Sequence, residues 1–148
     1  NNKQNNLYDI NNAIQHILDG QPYDLPKKST LQALQSLFDT ASGPQILAAY
    51  EKLKQQAGAD YDADREAALN SIGYSLLGKK RYDAAIVVLE YNTKMFPQSG
   101  NVFDSLGEAY YIKGDKEKSL LNYQQALRLD PQNEGAKEKI KELQAGGK

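Results

Sequence analysis

Between Glu66 and Pro131 the chain repeats itself at a spacing of 34 residues. Gly73 recurs as Gly107, and Pro97 recurs as Pro131. Leu69, Ile72, Leu76, Ala85 and Leu89 recur as Phe103, Leu106, Tyr110, Ser119 and Tyr123. A fixed period of this size marks a stacked array, in which each unit buries only part of its apolar face and needs a neighbour. Within each copy the apolar positions recur at helical spacing, so the unit is a pair of helices.

The rest of the chain is read around that core. Ile10, Ile14, Ile17 and Leu18 share one face of a short helix, about Ile10 to Asp19, with Asp9 as N-cap and Gly20 as stop. Pro22 and Pro26 then favour an extended connector over Gln21–Pro26. Ser29 or Thr30 caps a helix carrying Leu31, Leu34, Leu37 and Phe38. Ser42-Gly43-Pro44 breaks it, and Pro44 fits the first turn of the next helix, which carries Ile46, Leu47, Tyr50 and Leu53 and ends near Gly58. This pair, Ser29 to Gln56, lacks the crossing glycine of the two clear copies, and Ala49 is the best counterpart of Ala85.

The first clear copy is predicted as helices over about Asp62–Leu77 and Tyr82–Met95. The second covers about Asn101–Ile112 and Asp115–Leu129, with a turn at Gly114 and an N-cap at Asp115. A last helix, about Asn133–Gln144, sets Ala136, Ile140 and Leu143 on one narrow face and charge on the others, which suits the open end of an array. The expected organisation is residues 1–26 as an N-terminal helix with a proline-containing linker, 27–58 as a divergent helix pair, and 59–148 as two repeats plus a capping helix.

Gly73 and Gly107 let the antiparallel helices of a pair approach closely, where a larger residue costs about 1–3 kcal/mol by overpacking. Pro97 and Pro131 end the second helices. This constellation resembles the tetratricopeptide repeat family over about Asp64 to Leu143. Leu69, Ile72, Gly73, Leu76, Tyr82, Ala85, Leu89 and Pro97 match its positions in the first copy, and Phe103, Leu106, Gly107, Tyr110, Tyr123, Ala126 and Pro131 in the second. Asn92, Ser119 and Lys116 depart from it and are expected to weaken local packing. The resemblance implies an all-α fold of antiparallel helix pairs in a short right-handed superhelix with a C-terminal capping helix. The structural positions are Gly73, Ala85, Pro97, Gly107, Ala126 and Pro131.

Chemistry is sparse. Gly-rich phosphate loops, Gly-x-Ser-x-Gly and Ser-x-x-Lys are all missing from the 148 residues. There is no cysteine, and His16 is the one histidine, so thiolate and paired-histidine metal sites and an internal Ser/His/Asp triad are excluded. Asp60, Asp62 and Asp64 imitate the opening of a Ca²⁺ loop, but Arg65 and Ser71 stand where it needs glycine and glutamate. Capping of the next helix by Asp62 or Asp64 is the expectation instead. Net charge is -1, and neither half is strongly basic, which argues against nucleic acid. No apolar run is long enough for a membrane span, and no cofactor is implied. The polar start, Asn1 to Asn6, lacks an initiator Met, is no signal peptide, and reads as part of something longer.

What remains is surface. In the tetratricopeptide family the first helix of each pair lines a concave groove that holds a peptide or partner helix. The matching positions are Asn70, Tyr74, Leu77, Asn101, Asp104, Glu108 and Tyr111. One use in that family is a basic clamp for a partner's C-terminal carboxylate, which needs Lys, Arg and Asn. Asp104 and Glu108 speak against it and for a neutral or basic ligand, with Tyr74 and Tyr111 as aromatic contacts. The alternative is that these tyrosines pack against the chain's own N-terminal helices. The partner is thus a protein or peptide in the groove, or the parent's own upstream domain.

A second resemblance concerns the layout. Ile10 to Pro26, with Gly20-x-Pro22-Tyr23-x-Leu25-Pro26, is similar to the end of a β-lactamase-like serine hydrolase domain of exported bacterial proteins, in some of which helical repeats follow. Asn101 to Tyr110 is similar to those repeats. This implies an accessory C-terminal region in a periplasmic or exported protein, without catalytic residues in this chain.

Overall fold

The computed structural model describes residues 14–15, 18–19, 27–57 and 60–145. The connector at Gln21–Pro26, His16, most of the helix expected over Ile10–Asp19, and the termini lie outside the described residues. Seven α-helices follow one another among the described residues: α1 (Thr30–Leu34), α2 (Gly43–Ala57), α3 (Glu66–Gly78), α4 (Tyr82–Met95), α5 (Gly100–Lys113), α6 (Lys116–Leu129) and α7 (Glu134–Ala145). The only non-helical pairing among them is an isolated bridge between Lys28 and Tyr61. The fold is an all-α helical repeat.

The two clear copies are α3–α4 and α5–α6. At each crossing the glycine does what its spacing implies. A Cβ on Gly73 would meet Leu89 at 2.6 Å, and one on Gly107 would meet the Tyr123 ring at 3.0 Å. Leu69, Ile72 and Leu76 from α3 and Ala85, Val88 and Leu89 from α4 are buried in one core. The divergent pair joins that core through Leu34, Phe38, Ile46 and Tyr50. Beyond α5, Tyr123 and Ala126 of α6 pack with Ala136 and Leu143 of α7, so the last helix covers the end of the stack.

Several boundaries differ from expectation, each for a local reason. The helix expected to run from Ser29 or Thr30 through Phe38 shortens to five residues and tightens into a 3-10 turn at Gln35–Leu37. There the Phe38 and Ala41 carbonyls turn towards Arg81, whose guanidinium donates to them at 3.0 and 2.8 Å. Helix α3 starts at Glu66 rather than Asp62, and neither aspartate caps it. Asp62 Oδ1 instead accepts from the Thr30 N–H at 2.8 Å, and Asp64 pairs with Lys27 at 3.3 Å. The two aspartates thus fasten the loop before α3 to the chain before α1. Gly78 closes α3 as a helical residue, and the left-handed conformation falls on Lys80 at φ 59°. At the end of α5 the left-handed residue is Gly114 at φ 89°, where glycine avoids Cβ strain. Asp115 caps α6, accepting from Lys118 N at 3.1 Å.

Two departures from the repeat pattern make hydrogen bonds across the helix pairs, although the buried Asn92 Oδ1 has no partner among the described residues. Ser119 Oγ donates to the buried Gly107 carbonyl at 2.9 Å, so the hydroxyl ties α6 to α5 at the crossing. Asn92 is fully buried and donates to Asn70 Oδ1 at 2.8 Å and to the Glu66 carbonyl at 3.0 Å. A small apolar residue would leave Asn70 without that donor.

Candidate functional site

The first helices α3, α5 and α7 lie side by side and are joined by side-chain hydrogen bonds across one face. Asn101 Nδ2 donates to Glu66 Oε1 at 3.1 Å. The Tyr74 hydroxyl donates to Glu108 Oε2 at 2.7 Å, and the Ser105 Oγ lies 3.4 Å from it. Asn133 Nδ2 donates to Asp104 Oδ1 at 3.0 Å, and the Tyr111 hydroxyl donates to Glu142. Helical geometry explains the grouping: Asn101, Asp104, Glu108 and Tyr111 recur at three- and four-residue steps and share one stripe of α5.

Of the seven residues expected on this face, five are placed on it together. Tyr74 is exposed at 41% of its surface. Asn101 is exposed, and Asp104, Glu108 and Tyr111 are half-buried. Asn70 and Leu77 are corrected. Both are buried, Asn70 because its side chain turns inward to meet Asn92, and Leu77 because it joins the main core. Glu66, Asn133, Lys139 and Glu142 belong to the face and escaped sequence reasoning. Their signal is weak, since Glu142 and Lys139 sit in a helix that also carries Glu134, Lys137, Glu138 and Lys141.

The electrostatics are uneven along the stripe. Burial raises the Asp104 carboxyl above the usual carboxylate range, and the neighbouring Glu108 charge adds to this. Burial pushes the Tyr74 hydroxyl up to about 12, and its bond to Glu108 acts in the same direction. At the α7 end the balance reverses. Hydrogen bonds from Tyr111 and then Lys139 hold Glu142 below its ordinary value. Lys139 Nζ lies 2.9 Å from Glu142 Oε2 and 4.3 Å from the centre of the Tyr111 ring. Among the described residues, Asp104 and Glu108 form no ion pair.

Helix pairs stacked at a fixed period, with a polar and aromatic face along the first helices, define a helical-repeat module. Residues 107–136 match the family model described as TPR repeat. Two curated Escherichia coli proteins are each 31% identical over 120 residues, 76% of this chain. They are the cellulose synthase operon protein C of strain K12 and the putative protein of that name from O157:H7. The chain spans about 10% of the length of each. Among solved structures, the first TPR of Spaghetti (RPAP3) bound to the HSP90 peptide SRMEEVD has a TM-score of 0.55 at 14% identity. That match covers 83% of this chain and 98% of the other. The likeness concerns the fold. Among the described residues no helix is long and apolar enough to cross a membrane.

Proposed function

We propose that this module binds a neutral or basic segment of a protein partner along the face formed by Tyr74, Asn101, Asp104, Glu108 and Tyr111, without chemistry of its own. The carrying observation is the adjacent pair Asp104 and Glu108, which no cation among the described residues neutralises. The solved neighbour holds a peptide, SRMEEVD, with three acidic residues. Here Asp104 and Glu108 would repel such a ligand, so the same fold serves a different partner charge. Isotope-labelled protein titrated with mixtures of basic, neutral and acidic peptides tests this by NMR. Shifts on α3 and α5 with the basic or neutral mixtures support it. Shifts confined to α4 and α6, or produced by acidic peptides alone, reject it.

A second reading rests on Ile14 and Leu18, which are exposed at 50% and 74%. An uncovered apolar stripe suits packing on a neighbouring domain, such as the β-lactamase-like serine hydrolase that Ile10–Pro26 resembles. The chain would then be that exported protein's accessory C-terminal region. A Ser-x-x-Lys motif upstream in the reading frame supports this, and further repeats alone in its place reject it.

A further inference from the structure

On the first-helix face a tyrosine of one first helix donates to a glutamate of the next at two successive junctions. The two tyrosines stand one turn apart in the repeat, since Tyr111 corresponds to Leu77, not to Tyr74. At the α5–α7 junction Tyr111 donates to Glu142, and Lys139 completes the group. Its Nζ reaches the Glu142 carboxylate at 2.9 Å and the Tyr111 ring at 4.3 Å, so one ammonium takes both an ion pair and a cation–π contact. At the α3–α5 junction Tyr74 donates to Glu108 at 2.7 Å in the same way. Lys139 stands three residues before Glu142, and the residue three before Glu108 is Ser105. Ser105 is too short to carry a charge there, and its hydroxyl donates back to the Asn101 carbonyl at 3.0 Å. Tyr74 is left 41% exposed, and Asp104, one turn before Glu108, brings a second carboxylate to the same place.

We infer that the Tyr74–Glu108 pair receives the Lys or Arg side chain of a partner segment, much as the Tyr111–Glu142 pair receives the chain's own Lys139. This rests on the reading of the first-helix face as the partner surface, and it names the side chain that surface selects. Charge complementarity favours this occupant. A partner cation would gain the Glu108 carboxylate, a further contribution from Asp104 and the face of the Tyr74 ring, none of which is held by a cation among the described residues. An acidic or purely apolar side chain would leave both carboxylates uncompensated.

The test uses immobilised protein and short peptide libraries in which one position is fixed as Lys, Arg, norleucine or Glu. The native chain is expected to retain the Lys and Arg sets about fivefold over norleucine, the scale of one exposed cation–π and ion-pair contact. Glu108→Gln combined with Asp104→Asn keeps hydrogen-bond acceptors but removes both charges, and it should retain Lys, Arg and norleucine equally. Lys139→Met changes a residue on the surface of α7 and vacates the Tyr111–Glu142 pair, so a second Lys-preferring position should appear. Retention of norleucine equal to Lys by the native chain overturns this inference and leaves the partner surface standing. The absence of any new preference in Lys139→Met overturns the likeness of the two pairs. No retention of any library by the native chain overturns both the inference and the reading beneath it.

Discussion

A Cβ on Gly73 would stand 2.6 Å from both Cγ and Cδ2 of Leu89, a fully buried residue on the facing helix. The equivalent Cβ on Gly107 would stand 3.0 Å from the Tyr123 ring, a contact that a few tenths of an ångström relieves. Alanine gains about 1 kcal/mol of helix propensity over glycine at both sites, while overpacking costs about 1–3 kcal/mol. Gly73→Ala is therefore expected to destabilise by about 1–2 kcal/mol and Gly107→Ala to be near neutral. Urea unfolding of the two variants checks the order, and equal midpoints would remove the steric account of the first crossing.

Arg81 fastens the divergent helix pair to the first clear repeat. Its guanidinium holds the carbonyls of Phe38 and Ala41 at 3.0 and 2.8 Å. Arg81→Met keeps the aliphatic stem but strands both carbonyls, at a cost of about 1.5–3 kcal/mol for lost hydrogen bonds to a charged group. Arg81→Lys should recover at most part of this, because one ammonium lacks the planar fork that spans two carbonyls. Hydrogen exchange should localise the loss to α1 and the turn after it. Uniform loss across α3 to α6 would show that Arg81 acts elsewhere.

The repeat was legible because a period multiplies weak signals. Gly73, Ala85 and Pro97 mean little singly, but the same spacing in Gly107, Ser119 and Pro131 identifies crossings and ends. The face was half legible. Tyr74, Asp104, Glu108 and Tyr111 follow from the register of the tetratricopeptide family that the repeat resembles. Asn70 did not, because its burial depends on Asn92, a second polar residue 22 positions away that fits no repeat pattern. The same reason hides Asp62, which looked like the cap of the helix beside it and serves Thr30, 32 positions earlier. Contacts of that kind join elements without periodicity and become visible only in three dimensions.

Tyrosines couple the stack to alkaline pH. Burial first, and then the nearby Glu51 charge, push Tyr50 up to about 12. The hydrogen bond to Glu51 pushes Tyr91 up to about 12, and burial does the same for Tyr74. A hydroxyl whose folded value exceeds its unfolded value of about 10 contributes stability that is complete below pH 10. That contribution is lost as pH rises through the folded value. The denaturant midpoint should stay level up to about pH 10 and fall between about pH 10 and 12, alongside late tyrosinate absorbance. A fall that begins below pH 9 would mean these hydroxyls titrate freely.

Under the proposed function, Asp104 is where stability and recognition pull apart. Its folded value lies above the ordinary one, because burial outweighs the lowering by the Asn133 hydrogen bond and the Glu108 charge adds to it, so the fold favours the protonated form. Stability from this group is complete below its unfolded value of about 3.9 and is lost as pH rises through the folded value. At neutral pH the ionised carboxylate is therefore a net cost. Asp104→Asn removes the charge and keeps an oxygen to accept from Asn133 Nδ2, which now donates at 3.0 Å. Calorimetry should show Tm rising by about 1–3 °C at pH 7 and unchanged near pH 3. Retention of Lys-containing peptides should fall in the same variant. A protein that loses stability at pH 7 on this change would show that a cation already compensates the carboxylate, and the face would no longer have a place for a partner's Lys or Arg.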